Sequence, residues 1–232
     1  MTAISIKDLN VYLSGSHVIQ GVNLEVPSNK VTALLGRNGV GKTTTLRAIM
    51  GLVPSTGHIE FFGKSIDGMP TYKIAQAGIG YVPEDRDIFA SLTVAENLSL
   101  AVRDAKPNYD LVYSLFPELS QRASQRAGTL SGGQQQMVAI ARSLLNKNQI
   151  ILIDEPTKGL APKLVGEVAV ALTAVANETT MLLVEQNLAL VKSVAEHIIV
   201  MSQGKVVFEG GPHNLEDDTF VHSMLGVSGG LH

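Results

Sequence analysis

The stretch Gly36-Arg-Asn-Gly-Val-Gly-Lys-Thr-Thr44 limits what this chain can fold into more than any other. It lies between the apolar run Val31-Thr-Ala-Leu-Leu35 and the helix-like Thr45-Leu-Arg-Ala-Ile-Met50, so G-x-x-x-x-G-K-[ST] occurs here in the strand, loop and helix setting of a P-loop. Glycines let a backbone turn its N–H groups inward around a phosphate, and a helix N-terminus adds a favourable dipole. Lys42 is expected to reach the outer phosphates and Thr43 to offer its hydroxyl to Mg²⁺, with Gly36, Arg37, Asn38, Gly39, Val40, Gly41 and Thr44 completing the cradle. A Gly-rich turn that merely joins a strand to a helix is the plain alternative. The full pattern with its flanks favours phosphate.

A chain of 232 residues suits one α/β domain with a smaller appended subdomain and is cramped for two independent domains. Charged residues make up only 17%, against 45% apolar, yet no apolar run approaches the roughly 20 residues that span a bilayer. A soluble protein with a buried partner face is the expectation. The net charge of −3 offers no basic field for nucleic acid or anionic lipid, and the absence of Cys rules out disulfides and thiolate metal sites. Met1-Thr-Ala-Ile-Ser5 lacks the basic and then apolar regions of a signal peptide, so a cytoplasmic location is expected.

Ile4 to Leu13 and Val18 to Val26 read as an antiparallel hairpin about Ser14-Gly-Ser16, with His58–Gly63 as a further strand joining it. Ile79–Val82 reads as a core strand running into the polar loop Pro83-Glu-Asp-Arg-Asp87. Thr93-Val-Ala-Glu96 has the spacing of a helix start, and the pattern stays helical to about Lys147. Within that block Leu130-Ser-Gly-Gly-Gln134 opens a long helix, offering anion-facing N–H groups or simply a capped end.

Gln149-Ile-Ile-Leu-Ile-Asp-Glu-Pro156 reads as a buried parallel strand ending in two carboxylates, at the end where open α/β sheets place chemistry. Beside a nucleotide loop, Asp154 suits Mg²⁺ and Glu155 suits polarising a water for attack on phosphate. Then follow a helix from about Ala161 to Asn177, the strand Thr180–Val184, a helix to about His197, a hairpin through Gln203-Gly204, and a short terminal helix from Phe220 to Leu225. The β-α-β-α alternation predicts a parallel sheet. Asn146-Lys-Asn-Gln149 fails as a guanine-reading motif, because Gln149 supplies no carboxylate.

A P-loop, then Leu130-Ser-Gly-Gly-Gln134, then Ile-Leu-Ile-Asp154-Glu155, in this order and spacing, resembles the ATP-binding cassette (ABC) family over nearly the whole chain. The resemblance implies an α/β P-loop NTPase core with an antiparallel β subdomain and an inserted helical subdomain. Residues 1–92 and 148–232 would form the core, and 93–147 the helical signature subdomain. Pro83-Glu84, Gly159-Leu-Ala-Pro162 and Val184-Glu-Gln-Asn187 look like the ATPase subunits of branched-chain amino-acid importers and, more distantly, of urea and amide importers. A soluble ABC ATPase of DNA repair or translation would need a coiled-coil insertion or second cassette for which there is no room.

By that resemblance ATP and Mg²⁺ are the cofactors, and Tyr12, near the hairpin turn and read alone an ordinary strand-surface residue, would stack on adenine. Thr43, Glu84 and Asp154 would serve the metal, while Glu155, Lys42, Gln186 and Glu84 would carry catalysis. Ser131, Gly132, Gly133 and Gln134 would serve the ATP of a second, non-identical cassette in a head-to-tail dimer. Transmembrane permeases and, through them, a receptor are the further partners, with the chain peripheral on the inner face of the membrane. Three positions depart from the family pattern: Glu84 stands where Gln is usual, Ala161 where many members have Asp, and Gln186 where His is usual. Gln186 keeps an amide donor but cannot carry a proton, and Glu84 adds a charge that phosphate repels and Mg²⁺ attracts, so the net effect on the chain's own site depends on placement.

Overall fold

The computed structural model describes residues 1–176 and 178–226. Strands β1 (Thr2–Leu13) and β2 (Ser16–Pro27) form the long hairpin. The P-loop strand β3 (Val31–Leu35) leads into α1, which begins at Lys42, three residues earlier than the apolar pattern predicts, and runs to Ile49. Strand β4 (Thr56–Phe61) pairs with β1, and two short elements left unread in the sequence follow: β5 (Lys64–Ser65) and α2 (Thr71–Gln76). Both are too short to carry a periodic signal.

Strand β6 (Ile79–Val82) precedes the helical block α3 (Val94–Ala101), α4 (Tyr109–Leu115), α5 (Pro117–Gln121) and α6 (Gly132–Leu144). The Thr93/Glu96 pair forms the reciprocal cap that its spacing predicts: the Thr93 N–H donates to Glu96 Oε2 at 2.7 Å, and the Glu96 N–H donates to Thr93 Oγ1 at 3.2 Å. Beneath it the fully buried Asn97 accepts from the Phe89 N–H at 2.8 Å and donates to the Phe89 and Thr93 carbonyls, fastening the approach to α3.

The chain then alternates through β7 (Ile150–Asp154), α7 (Pro162–Ala176), β8 (Thr180–Val184), α8 (Leu188–Val194), β9 (His197–Ser202), β10 (Lys205–Gly210) and α9 (Asp218–Leu225). Asn177, the expected end of α7, lies outside the described residues. The helix expected to reach His197 stops at Val194. Ala195 is already extended, the Glu196 N–H donates to the Val31 carbonyl at 2.9 Å, and His197 pairs with Thr32 of β3.

Two sheets result: an antiparallel one in the order β2-β1-β4-β5, and a six-stranded one in the order β10-β9-β3-β8-β7-β6. In the second, β9, β3, β8, β7 and β6 are parallel, and β6 takes the edge rather than the centre. All five residues of β3, β7 and β8 are buried, because both faces of this sheet are covered. Along β7, Ile150 and Leu152 join the apolar cluster of the hairpin and α1, whereas Ile151 and Ile153 join that of the helical block and α7. The Gln20 N–H donates to the Gly204 carbonyl at 2.9 Å and ties the hairpin to the turn between β9 and β10.

Candidate active site

Four neighbouring parallel strands deliver the chemistry-bearing residues to one edge of the sheet. Leu35 hands the chain to the P-loop, Val184 to Glu185-Gln186, Asp154 to Glu155, and Val82 to Pro83-Glu84. Carboxyl ends of parallel strands are where an open α/β sheet leaves a crevice. The crevice here is a cavity of about 370 Å³ lined by Asn38, Gly39, Gly41, Lys42, Thr43 and Thr44 of the P-loop together with Val18, Glu84, Glu155 and Lys158.

The P-loop takes its shape from positive φ at Gly36 (143°), Gly39 (81°) and Gly41 (109°). A Cβ on Gly36 would stand 2.4 Å from the Met201 carbonyl oxygen, and one on Gly41 would stand 2.5 Å from Ile19 Cδ1, so the loop lies tight against β9 and the hairpin. The Gly204 N–H donates to the Val40 carbonyl at 3.1 Å and fixes the loop from beneath. Lys42, only 4% exposed, donates through Nζ to the Gly36 and Arg37 carbonyls at 2.8 and 3.0 Å. Its ammonium therefore stands in the ring of the loop. Burial pushes its pKa down, opposed by Glu155, Asp154 and Glu84.

Asp154 is fully buried at the end of β7, and Thr43 Oγ1 donates to its Oδ1 at 3.1 Å, while Oδ2 has no partner. Burial pushes its pKa up to about 6, the Thr43 bond opposes this, and Glu84 and Glu155 add to it. An orphaned buried carboxylate oxygen beside a hydroxyl is an oxygen donor set for a hard cation. Among the described residues no group of three His, Cys, Asp or Glu converges as a metal cage. The donors thus fit an ion that keeps most of its shell as water or phosphate, as Mg²⁺ does.

Glu155 sits next along the chain at φ 46°, an uncommon backbone for a non-glycine residue and one typical of functional sites. Its N–H donates to the Val184 carbonyl at 2.8 Å, so the strained residue is held by the sheet. Oε1 accepts from Gln186 Nε2 at 2.7 Å and lies 3.9 Å from Lys42 Nζ; Oε2 lies 3.6 Å from Lys158 Nζ. Gln186 also donates to Asn38 Oδ1 at 2.7 Å, linking the β8 end to the P-loop. Glu84 is hydrogen-bonded to Lys158 Nζ. Lys42, Thr43, Asp154, Glu155, Gln186 and Glu84 are thereby brought together.

Two groups of predicted site residues do not line this cavity: Tyr12, and the signature residues 131–134, which are expected to serve a second cassette. Tyr12 is 59% exposed on the hairpin and stacks on His17, with ring centroids 4.1 Å apart. The buried Val11 and the half-buried Leu13 take the inward side of β1, leaving Tyr12 on the other face. Ser131 and Gln134 close a reciprocal cap on each other at the start of α6, at 3.0 and 3.3 Å, and none of residues 131–134 lines the cavity. The plain capped-helix reading is met within one chain.

The sequence reading assigned nothing to Glu185 or Lys158. Glu185, 3% exposed, accepts from Thr157 Oγ1 at 2.7 Å and from the Gln186 and Asn187 N–H groups at 2.7 and 2.9 Å, locking the turn after β7 to the turn after β8. A second strand-end acid one residue before Gln186 was the available signal.

The profile of the ABC transporter family matches residues 19–158. The chain belongs to the ABC transporter family. A branched-chain amino acid transport ATP-binding protein, BraG of Pseudomonas aeruginosa, is 36% identical over 211 residues, covering 88% of this chain and 91% of the relative. A lipopolysaccharide export system ATP-binding protein, LptB of Haemophilus influenzae, is 33% identical over 227 residues, 94% of each. The crystal structure of a nucleotide-free ATP-binding cassette from an ABC transporter superposes with a TM-score of 0.82 at 25% identity, covering 98% of this chain and 100% of that one. This ABC ATPase is thus an ATP-binding, ATP-hydrolysing subunit of a transporter. No helix among its described residues is long and apolar enough to cross a membrane.

Proposed function

We propose that this ABC ATPase powers uptake of branched-chain amino acids through separate membrane subunits, from a peripheral position on the inner face of the membrane. The observation that carries the hydrolytic part is Glu155, held at φ 46° between Lys42 and Gln186 at the mouth of the P-loop. It acts as the base that polarises the attacking water. The Lys42 ammonium meets the outer phosphates, and Gln186 holds Glu155 through one oxygen. Thr43 and Asp154, with Glu84 nearby, would hold Mg²⁺, which supplies charge neutralisation on the β- and γ-phosphates. Tyr12, exposed on the hairpin, offers its ring as the stacking surface for adenine.

Residues 93–147 act as the helical unit that presents Ser131, Gly132, Gly133 and Gln134 to the ATP of a second cassette, head to tail. That partner is non-identical: this chain's signature is intact, whereas Glu84, Ala161 and Gln186 are unusual in its own site. The amino-acid reading rests on the likeness to the branched-chain relative and on Pro83-Glu84, Gly159–Pro162 and Val184–Asn187. The lipopolysaccharide relative favours a second reading, extraction of a lipid. Reconstituting the complete transporter in vesicles decides between them. ATP-driven leucine uptake by a complex with two different ATPase chains is the expected result; lipid extraction without leucine movement, or two copies of this chain alone, contradicts it.

The loop Pro83–Asp87 is the coupler. At one end Glu84 reaches the cavity; at the other Arg86 Nε donates to Gln136 Oε1 at 3.3 Å and Arg142 Nη1 donates to the Asp87 carbonyl at 2.5 Å, both on α6. Arg86 and Asp87 hold φ of 66° and 46°, so the loop is kept in shape by its two ends. Glu84→Ala is expected to change ATP affinity by less than about tenfold, while hydrolysis stimulated by the membrane partner falls far more. Loss of affinity with an unchanged stimulation ratio would remove the loop from coupling.

A further inference from the structure

The cavity must admit a triphosphate, yet two carboxylates, Glu155 and Glu84, line it, and a third, Asp154, lies buried behind Thr43. Lys42 supplies one cation from the floor. A second comes from Lys158, whose placement is set by the turn that ends β7. The Lys158 N–H donates to the Glu155 carbonyl at 3.1 Å, and Gly159 at φ 69° reverses the chain, so the Lys158 side chain runs back over the cavity. There Nζ forms a hydrogen-bonded ion pair with Glu84 and lies 3.6 Å from Glu155 Oε2. A lysine that is 56% exposed has solvent open to it; two carboxylates hold it here instead.

We propose that Lys158 is a positioning residue of the ATP site, which neutralises Glu84 so that the outer phosphates can approach and keeps that carboxylate off them. The proposal rests on the reading of the P-loop cavity as the ATP site. It accounts for the tolerance of an acid where this family usually has an amide: the acid comes with its own counter-charge. Removing Lys158 leaves three carboxylates against one ammonium. A carboxylate about 6 Å from a phosphate charge, at an effective dielectric near 40, weakens binding by about tenfold. The effect is screened by salt, since the pair is partly exposed. Removing the negative charge of Glu84 instead frees Lys158 to close on Glu155, the base. Affinity then holds while turnover falls.

The test is a double-mutant cycle on the full-length protein, reading the affinity of a fluorescent ATP analogue with Mg²⁺ and with EDTA, and ATP hydrolysis in parallel. Lys158→Ala is expected to weaken binding by about tenfold in EDTA and by less with Mg²⁺, with the loss shrinking as salt rises. Lys158→Arg keeps the charge and retains affinity. Glu84→Gln keeps affinity and lowers kcat, and Glu84→Gln combined with Lys158→Ala recovers most of the affinity lost by Lys158→Ala alone. Equal losses in Lys158→Ala and in the double variant, with wild-type protein binding normally, overturn the pairing alone. Wild-type protein that binds no analogue overturns the assignment of the cavity and this proposal with it.

Discussion

Lys42→Ala is expected to abolish ATP hydrolysis and to weaken nucleotide binding sharply. The Lys42 ammonium is the one cation in the floor of the P-loop ring among the described residues, 4% exposed and fixed by the Gly36 and Arg37 carbonyls at 2.8 and 3.0 Å. A charge held this way needs no rearrangement when negative charge develops on the transferring phosphoryl group, which is the condition for strong electrostatic catalysis. Loss of one such donor costs about 10²- to 10³-fold in rate. The substitution also removes a buried counter-charge from Asp154 and Glu155, adding repulsion to the lost attraction. Steady-state hydrolysis and analogue binding measured together check this, and a rate within about tenfold of wild type speaks against the assignment.

Glu155→Gln is expected to keep ATP binding and to lower turnover by about 10²- to 10⁴-fold, the range for loss of a general base. Gln matches Glu in shape, so the φ 46° backbone and its bond to Val184 persist, and an amide oxygen still accepts from Gln186 Nε2. Only the ability to take a proton goes. Removing one carboxylate also lowers the negative charge facing the phosphates, so affinity holds or rises. The two substitutions therefore separate: Lys42→Ala strikes binding and rate together, and Glu155→Gln strikes rate alone.

The sheet was legible because its strands carry their signals locally. Val31–Leu35, Ile150–Asp154 and Thr180–Val184 are short branched runs, and strands covered on both faces read as unbroken apolar segments. The P-loop and the Asp154-Glu155 pair were legible because each occupies a strand end whose place follows from the topology. What escaped depends on geometry that spans the chain. Glu84 and Lys158 are 74 positions apart and meet only because one turn folds back after β7. Tyr12 follows simple alternation: Leu9, Val11 and Leu13 turn inward along β1, so Tyr12 stands on the exposed face. The helix before β9 stops short of its expected end because Ala195 is extended and Glu196 and His197 are already bonded to or paired with β3, a contact between distant parts of the chain.

The identity of the nucleotide left on Glu155→Gln protein tests the account most directly. After incubation with Mg·ATP and rapid removal of free ligand, the account predicts that ATP stays bound and unhydrolysed, whereas the wild type under the same conditions yields ADP and phosphate. ADP accumulating on Glu155→Gln protein at the wild-type rate would mean that the base lies elsewhere, and would contradict the site built here around the ends of β3, β7 and β8.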